Sequence, residues 1–175
     1  MTKSIILALA LFVFANIGAA QAEDASPSPA ELLAQARNMT TLQLFDTGDM
    51  EATLMAAREA ERANAVALSD GHEQTAAARF NLAMVLSLTG AYEEAEQLHG
   101  SALAARRNLP GGEELVADSL LALGQMNRNR GHYVDAEAQI LDALAIRVVL
   151  HETNSFPIAQ AHDELARLYR VQDRF

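Results

Sequence analysis

The sequence predicts an all-α protein made of stacked helical hairpins, with about three hairpins followed by a single C-terminal helix. Three observations lead there. Ala supplies 35 of the 175 residues; it is the best helix former, and its small side chain lets helices approach closely. Gly90–Arg107 recurs as Gly131–Val148 at an offset of 41 residues, with eight of eighteen positions identical. Half the residues are hydrophobic, but only 5% are aromatic and none is Trp, so the core must be built from small and aliphatic side chains.

The elements follow in order. Residues 1–22 read as a secretory signal peptide: Lys3 near the start, an apolar run from Ile5 to Ala15, then the small-x-small site Ala20-Gln21-Ala22 with cleavage expected after Ala22. The run is short for a membrane span, so no stable membrane insertion is expected once the leader is removed. With no twin Arg near the start, the sequence predicts export by the general route to a bacterial periplasm or the medium. Residues 23–29 (Glu-Asp-Ala-Ser-Pro-Ser-Pro) are aperiodic and acidic and read as a flexible linker. The helical domain is expected over 30–175, with repeats near 30–70, 71–110 and 113–152 and a partial one over 154–175. Its helices are expected at 30–46 and 49–69, 73–89 and 92–108, 113–130 and 133–151, and 157–172. Asp70-Gly71, Pro110-Gly111-Gly112 and Asn154-Ser155-Phe156-Pro157 supply the breaks between units.

The repeated positions have physical jobs. Gly90 and Gly131 follow helical stretches and can take the positive φ that ends a helix. Tyr92 and Tyr133 can cover the helix junction. Ala83, Gly124 and Ala166, with Ala95 and Ala136, are small where helices would cross. Ala102-Leu103 and Ala143-Leu144 continue the buried stripe at helical spacing.

This pattern resembles the tetratricopeptide repeat, in the 42-residue form found in kinesin light chains and many bacterial relatives. The residues carrying the likeness are Asn81-Leu82-Ala83, Gly90-x-Tyr92-x-x-Ala95-Glu96 and Ala102-Leu103. In the next unit they are Leu123-Gly124, Gly131-x-Tyr133-x-x-Ala136-Glu137 and Ala143-Leu144. The first hairpin is degenerate: Gly48 and Met50 hold the Gly and Tyr positions, but Thr40-Thr41 replace Leu-Ala. The resemblance implies a right-handed superhelix whose first helices line a concave groove that binds protein or peptide partners. Mapped by register, the groove residues are Asn81 and Met84, then Asp118, Gln125 and Arg128, then Asp163, Arg167 and Arg170. Asn81 matches an Asn that relatives use to hold a peptide backbone, and the three Arg stand where a carboxylate could be gripped by forked hydrogen bonds. An equally weighted reading pairs these Arg with Asp118, Asp163 and other acids across repeats.

Charge and motifs narrow the function. Thirteen Lys+Arg against 23 Asp+Glu give a net charge of -10, which disfavours nucleic acid and anionic lipid as partners. Cys is absent, excluding disulfides and thiolate chemistry. No phosphate-loop, dinucleotide, nucleophile-elbow or zincin pattern occurs. The five His lie in different elements, and no catalytic residue, metal or cofactor is expected. Glu93-Glu94, Glu113-Glu114 and Arg106-Arg107 read as helix-dipole partners. Met50, Met55, Met84 and Met126 read as core or groove packing. The expected role is a non-enzymatic adaptor of the cell envelope. A second reading is a self-assembling scaffold or a piece of a longer array. It rests on the last helix, where the Leu165, Leu168 and Tyr169 side is expected to be partly uncovered and open to homo-oligomer formation.

Overall fold

The computed structural model describes residues 26–173. The expected leader, 1–22, lies outside the described residues, as do residues 23–25 of the linker. The described residues form seven α-helices: α1 Pro29–Thr47, α2 Met50–Ala67, α3 Glu73–Thr89, α4 Tyr92–Arg106, α5 Glu113–Arg130, α6 Tyr133–Leu150 and α7 Phe156–Val171. All start and stop within two residues of the sequence expectation. The first helix begins inside the expected linker, because Ser28 accepts from the Glu31 N–H, Glu31 Oε2 accepts from the Ser28 N–H at 2.6 Å, and Pro29 occupies the first turn. This capping box, with Pro already at helical φ, starts the helix where composition alone suggests a tether.

Each hairpin turns on a glycine. Gly48, Gly90 and Gly131 end α1, α3 and α5 with φ of 80°, 85° and 81°. A side chain is strained there, so the glycine allows the second helix to fold back at once. Within hairpins, α1 packs on α2, α3 on α4 and α5 on α6; between hairpins, each second helix packs on the next first helix. Successive first helices α1, α3, α5 and α7 also touch and form a continuous inner layer, with α2, α4 and α6 outside. One core runs through the stack, from Ala57 through Leu82, Leu86, Leu103, Leu121 and Ile140 to Leu165 and Leu168.

The small residues sit at the crossings. Ala83, Ala95 and Ala136 are fully buried. A Cβ on Gly124 would lie 2.6 Å from Ile140 Cγ1 and 3.2 Å from the Ala136 carbonyl oxygen. In the first hairpin Thr41 takes the small position, fully buried, and gives its hydroxyl to the Arg37 carbonyl at 3.2 Å. That internal bond is how the degenerate repeat tolerates Thr where the others have Ala or Gly. Met126 is buried as expected, whereas Met55 is 68% exposed and belongs to no core.

The edge expected at α7 is not open where the sequence placed it. Leu168 is fully buried and Leu165 nearly so, both in the common core, and the Tyr169 hydroxyl donates to Glu137 Oε1 at 2.7 Å. Leu165 and Leu168 therefore offer no surface for self-association, and Tyr169 is half-buried with its hydroxyl engaged. The Leu of each Leu-Ala pair is buried in the common core, while the small residue at Gly124 faces Ile140 and Ala136 of its own partner helix. The side of α7 that meets solvent carries Ala159, His162, Asp163, Ala166 and Arg170, where α3 and α5 bury Ala76, Ala83 and Ala117 against their second helices.

His99 occupies the α4 position that Ala57 and Ile140 hold in the neighbouring second helices. It is fully buried, edge-on to Phe80 with centroids 5.7 Å apart, and neither ring nitrogen has a hydrogen-bond partner. Burial, reinforced by nearby Arg106, pushes its pKa from 6.5 down to about 4.

Two stability measurements follow. Gly124→Ala lowers the unfolding free energy by about 1–2 kcal/mol, because the crowding at Ile140 exceeds the gain in helix propensity. Gly100→Ala, on exposed α4 with open space around it, raises it by about 0.5–1 kcal/mol. Urea melts of both variants check the pair. For His99 the folded pKa lies below the unfolded one, so its contribution is full above pH 6.5 and is lost as pH falls toward 4. Relative to His99→Ile, the wild type is expected to lose up to about 3 kcal/mol between neutral pH and pH 4. Burial raises the pKa of Asp118 and Glu164, which acts in the opposite sense, so the comparison with the variant isolates the imidazole.

Candidate functional site

The inner layer is the candidate site, and its side chains divide into those already engaged by the fold and those left available. Asp118 on α5 is engaged. Its carboxylate accepts from Arg147 Nη2 at 2.5 Å, and Arg147 is completely buried. The same guanidinium donates from Nε to Glu114 Oε1 at 3.1 Å and from Nη1 to the Pro157 carbonyl at 3.0 Å and Gln160 Oε1 at 2.9 Å. His151 Nε2 meets the other Glu114 oxygen at 2.7 Å. Burial raises the Asp118 pKa, and Arg147 and then Arg106 oppose that rise. Asp118 thus joins α5 to α6 and α7 instead of presenting a free charge to a partner.

Arg106, at the matching position of the preceding repeat, is also buried. It donates from Nη1 to the Leu115 carbonyl at 3.1 Å and to Ser119 Oγ at 2.8 Å, and its guanidinium lies 4.1 Å over the Phe80 ring. Burial pulls its pKa down to about 10, which leaves it charged at neutral pH. Asn64 holds the equivalent place in the first repeat, with Nδ2 3.3 Å from the Gln74 carbonyl. One contact therefore recurs at each junction: a buried side chain near the end of a second helix grips a backbone carbonyl in the first turn of the next first helix.

Sequence reasoning missed this role. Arg106 and Arg147 already stood among the eight identical positions, and their recurrence at the repeat period was the usable signal. A helix-dipole role explains an Arg in a last turn equally well, and that hid the burial. Glu94 and Glu114 likewise have specific partners: Arg58 meets Glu94 with two bonds of 2.5 and 2.8 Å, and Arg147 with His151 meets Glu114.

The remaining groove candidates lie on α3, α5 and α7. Met84 packs on Phe80, Ala102 and Ala122. Asn81 is nearly buried, and its amide makes no hydrogen bond to any described residue. The matching positions on α5 and α7 hold Ala122 and Glu164, both buried. Arg128 reaches across from α5, with Nη1 3.3 Å from Glu164 Oε2. Arg167 bonds Asp163 Oδ2 at 2.8 Å and stands 3.8 Å from the other Glu164 oxygen. Burial raises the Glu164 pKa, against Arg128, Arg167 and the neighbouring Gln125 amide, which lower it. Arg170 is exposed and forms no ion pair with a described residue. Of the eight candidates, then, Asp118 is built into a repeat junction, Arg128, Asp163 and Arg167 form a charge cluster around Glu164, and Asn81 and Arg170 are unpaired.

No group of three or more His, Asp or Glu able to hold a metal occurs among the described residues. No described helix is long and apolar enough to cross a membrane.

The junction arginines differ in what their loss exposes. Arg147→Met leaves the half-buried Asp118 without its cation and Glu114 with His151 alone, and is expected to cost about 3–5 kcal/mol. Arg106→Met removes one donor from the Leu115 carbonyl and one from the Ser119 hydroxyl, which stay bonded to each other at 3.0 Å, and costs less, about 1–3 kcal/mol. Denaturant unfolding of both variants should show that order; equal losses would mean that the carboxylates around Arg147 contribute nothing.

Tetratricopeptide repeat models match residues 42–108 and 116–156. No curated protein sequence matches the chain. Among solved structures, the crystal structure of BtubC (BKLC) from P. vanneervenii superimposes with a TM-score of 0.74 and 24% identity over 88% of this chain. The chain spans 62% of the length of that structure. The likeness shows the fold, and the hairpin geometry with its glycine turns agrees with the two repeat matches. The chain belongs to the tetratricopeptide repeat family, whose repeats generally mediate protein–protein interaction.

Proposed function

We propose that this protein is a non-enzymatic adaptor that holds an extended peptide or helix of a partner along its inner helix layer. The observation that carries the reading is Asn81. Its amide has no bonded partner among the described residues, yet its polar atoms are not sealed from solvent, so they stand available to a ligand. A peptide backbone answers both its donor and its acceptor. Met84 supplies apolar contact beside it. Farther along the layer, Arg128, Arg167 and Arg170 outnumber Asp163 and Glu164 in a chain of net charge -10. That local excess of positive charge suits an acidic segment or a terminal carboxylate.

The compartment belongs to the same proposal. The leader expected over residues 1–22 would deliver the adaptor to the bacterial cell envelope, where its partner is sought.

Affinity purification from an envelope fraction tests the reading. The mature chain is expected to retain a defined protein. Asn81→Ala combined with Arg170→Glu should cut its recovery at least tenfold while the melting temperature stays within a few degrees. Undiminished recovery with the double variant contradicts the inner-layer assignment.

A further inference from the structure

The outer surface of α6 carries an apolar seam. Val134, Ala138, Leu141, Ala145 and Val148 recur at alternating spacings of four and three residues, and all five are exposed. Val134 is 82% exposed, Leu141 44% and Val148 57%. The five lie on one stripe about 21 Å long. They stand opposite Ala136, Ile140, Ala143 and Arg147, which are buried. An average spacing of 3.5 is that of a helix–helix seam, in which small Ala positions leave holes between the larger knobs.

The other repeats act as internal controls. The corresponding positions are Glu93, Gln97, Gly100 and Ala104 on α4 with Arg107 just past its end, and Glu51, Met55, Arg58, Arg62 and Ala65 on α2. Neither the hairpin nor the stacking needs an apolar outer face, since two of the three second helices fold with a largely polar one. Five exposed apolar positions in a row on a single helix call for an occupant.

Charge selects the occupant. Asp135 and Asp142 flank the seam on one side, both exposed, and Glu137 flanks it on the other. The one cation of α6, Arg147, is buried beneath it. A second copy would bring an acidic rim to an acidic rim, and an anionic lipid surface would be repelled likewise. We propose that the outer face of α6 docks a helix of another protein, one with a Leu-rich stripe flanked by Lys or Arg. This site is separate from the inner layer and independent of what that layer holds.

Two synthetic helical peptides with the same Leu/Ala stripe, one flanked by Lys and the other by Glu, test the proposal against the full chain by fluorescence anisotropy. The Lys peptide is expected to bind, more weakly as salt rises, and the Glu peptide to bind at least tenfold less well. Leu141→Glu with Val148→Glu should weaken the Lys peptide at least tenfold, and Arg170→Glu should leave it unchanged. Should the apolar variant fail to fold, Asp135→Lys with Asp142→Lys serves instead and is expected to reverse the preference between peptides. Equal affinity for both peptides, or none for either, overturns the proposal. So does a dimer in sedimentation that Leu141→Glu with Val148→Glu abolishes, which would give the face to a second copy.

Discussion

The stack depends on how the end of one hairpin is tied to the beginning of the next. A lone helical hairpin cannot bury its apolar face, so its stability comes from its neighbours. At each junction a buried polar side chain from the second helix reaches a carbonyl in the first turn of the following hairpin: Asn64 to Gln74, Arg106 to Leu115, Arg147 to Pro157. A guanidinium suits this place because it can hold several acceptors in different directions at once. Arg147 uses that capacity fully, joining α5, α6 and α7 through two carboxylates, an amide and a carbonyl. Arg106 has no carboxylate within bonding distance and relies on Ser119 and the face of Phe80. The junctions are therefore alike in geometry and unlike in charge, and the cost of disturbing them should differ along the array.

Those junctions also decide which inner-layer groups are left for a partner. With Asp118 consumed by Arg147, the inner-layer arginines Arg128, Arg167 and Arg170 stand around Asp163 and Glu164. The protein then presents two chemically different surfaces. The inner layer offers an amide and arginines; the outer face of α6 offers aliphatic side chains within an acidic rim. A scaffold with two faces of opposite character can hold two unlike partners together without contact between the sites.

Much of this was legible in the sequence, because glycine and proline report backbone geometry directly. Gly90 and Gly131 end helices at positive φ wherever they occur, so the helix limits came out within two residues. Side-chain partners were less legible. Asp118 and Arg147 are 29 residues apart and meet only because the repeats stack. The face of α7 was misread for a related reason: burial of Leu165 and Leu168 depends on which neighbour each side of the Leu-Ala pair meets, and periodicity alone does not say. Ser28 and Pro29 show the opposite case, where local capping chemistry was written in the chain but the surrounding composition obscured it.

Native-state hydrogen exchange of the wild type and Arg147→Met tests the junction account most directly. If the arginine ties the last helix to the stack, the amides of α7 in the variant should exchange through a local opening that leaves α1 to α4 fully protected. Uniform loss of protection along all seven helices, or protection of α7 equal to that in the wild type, would contradict it.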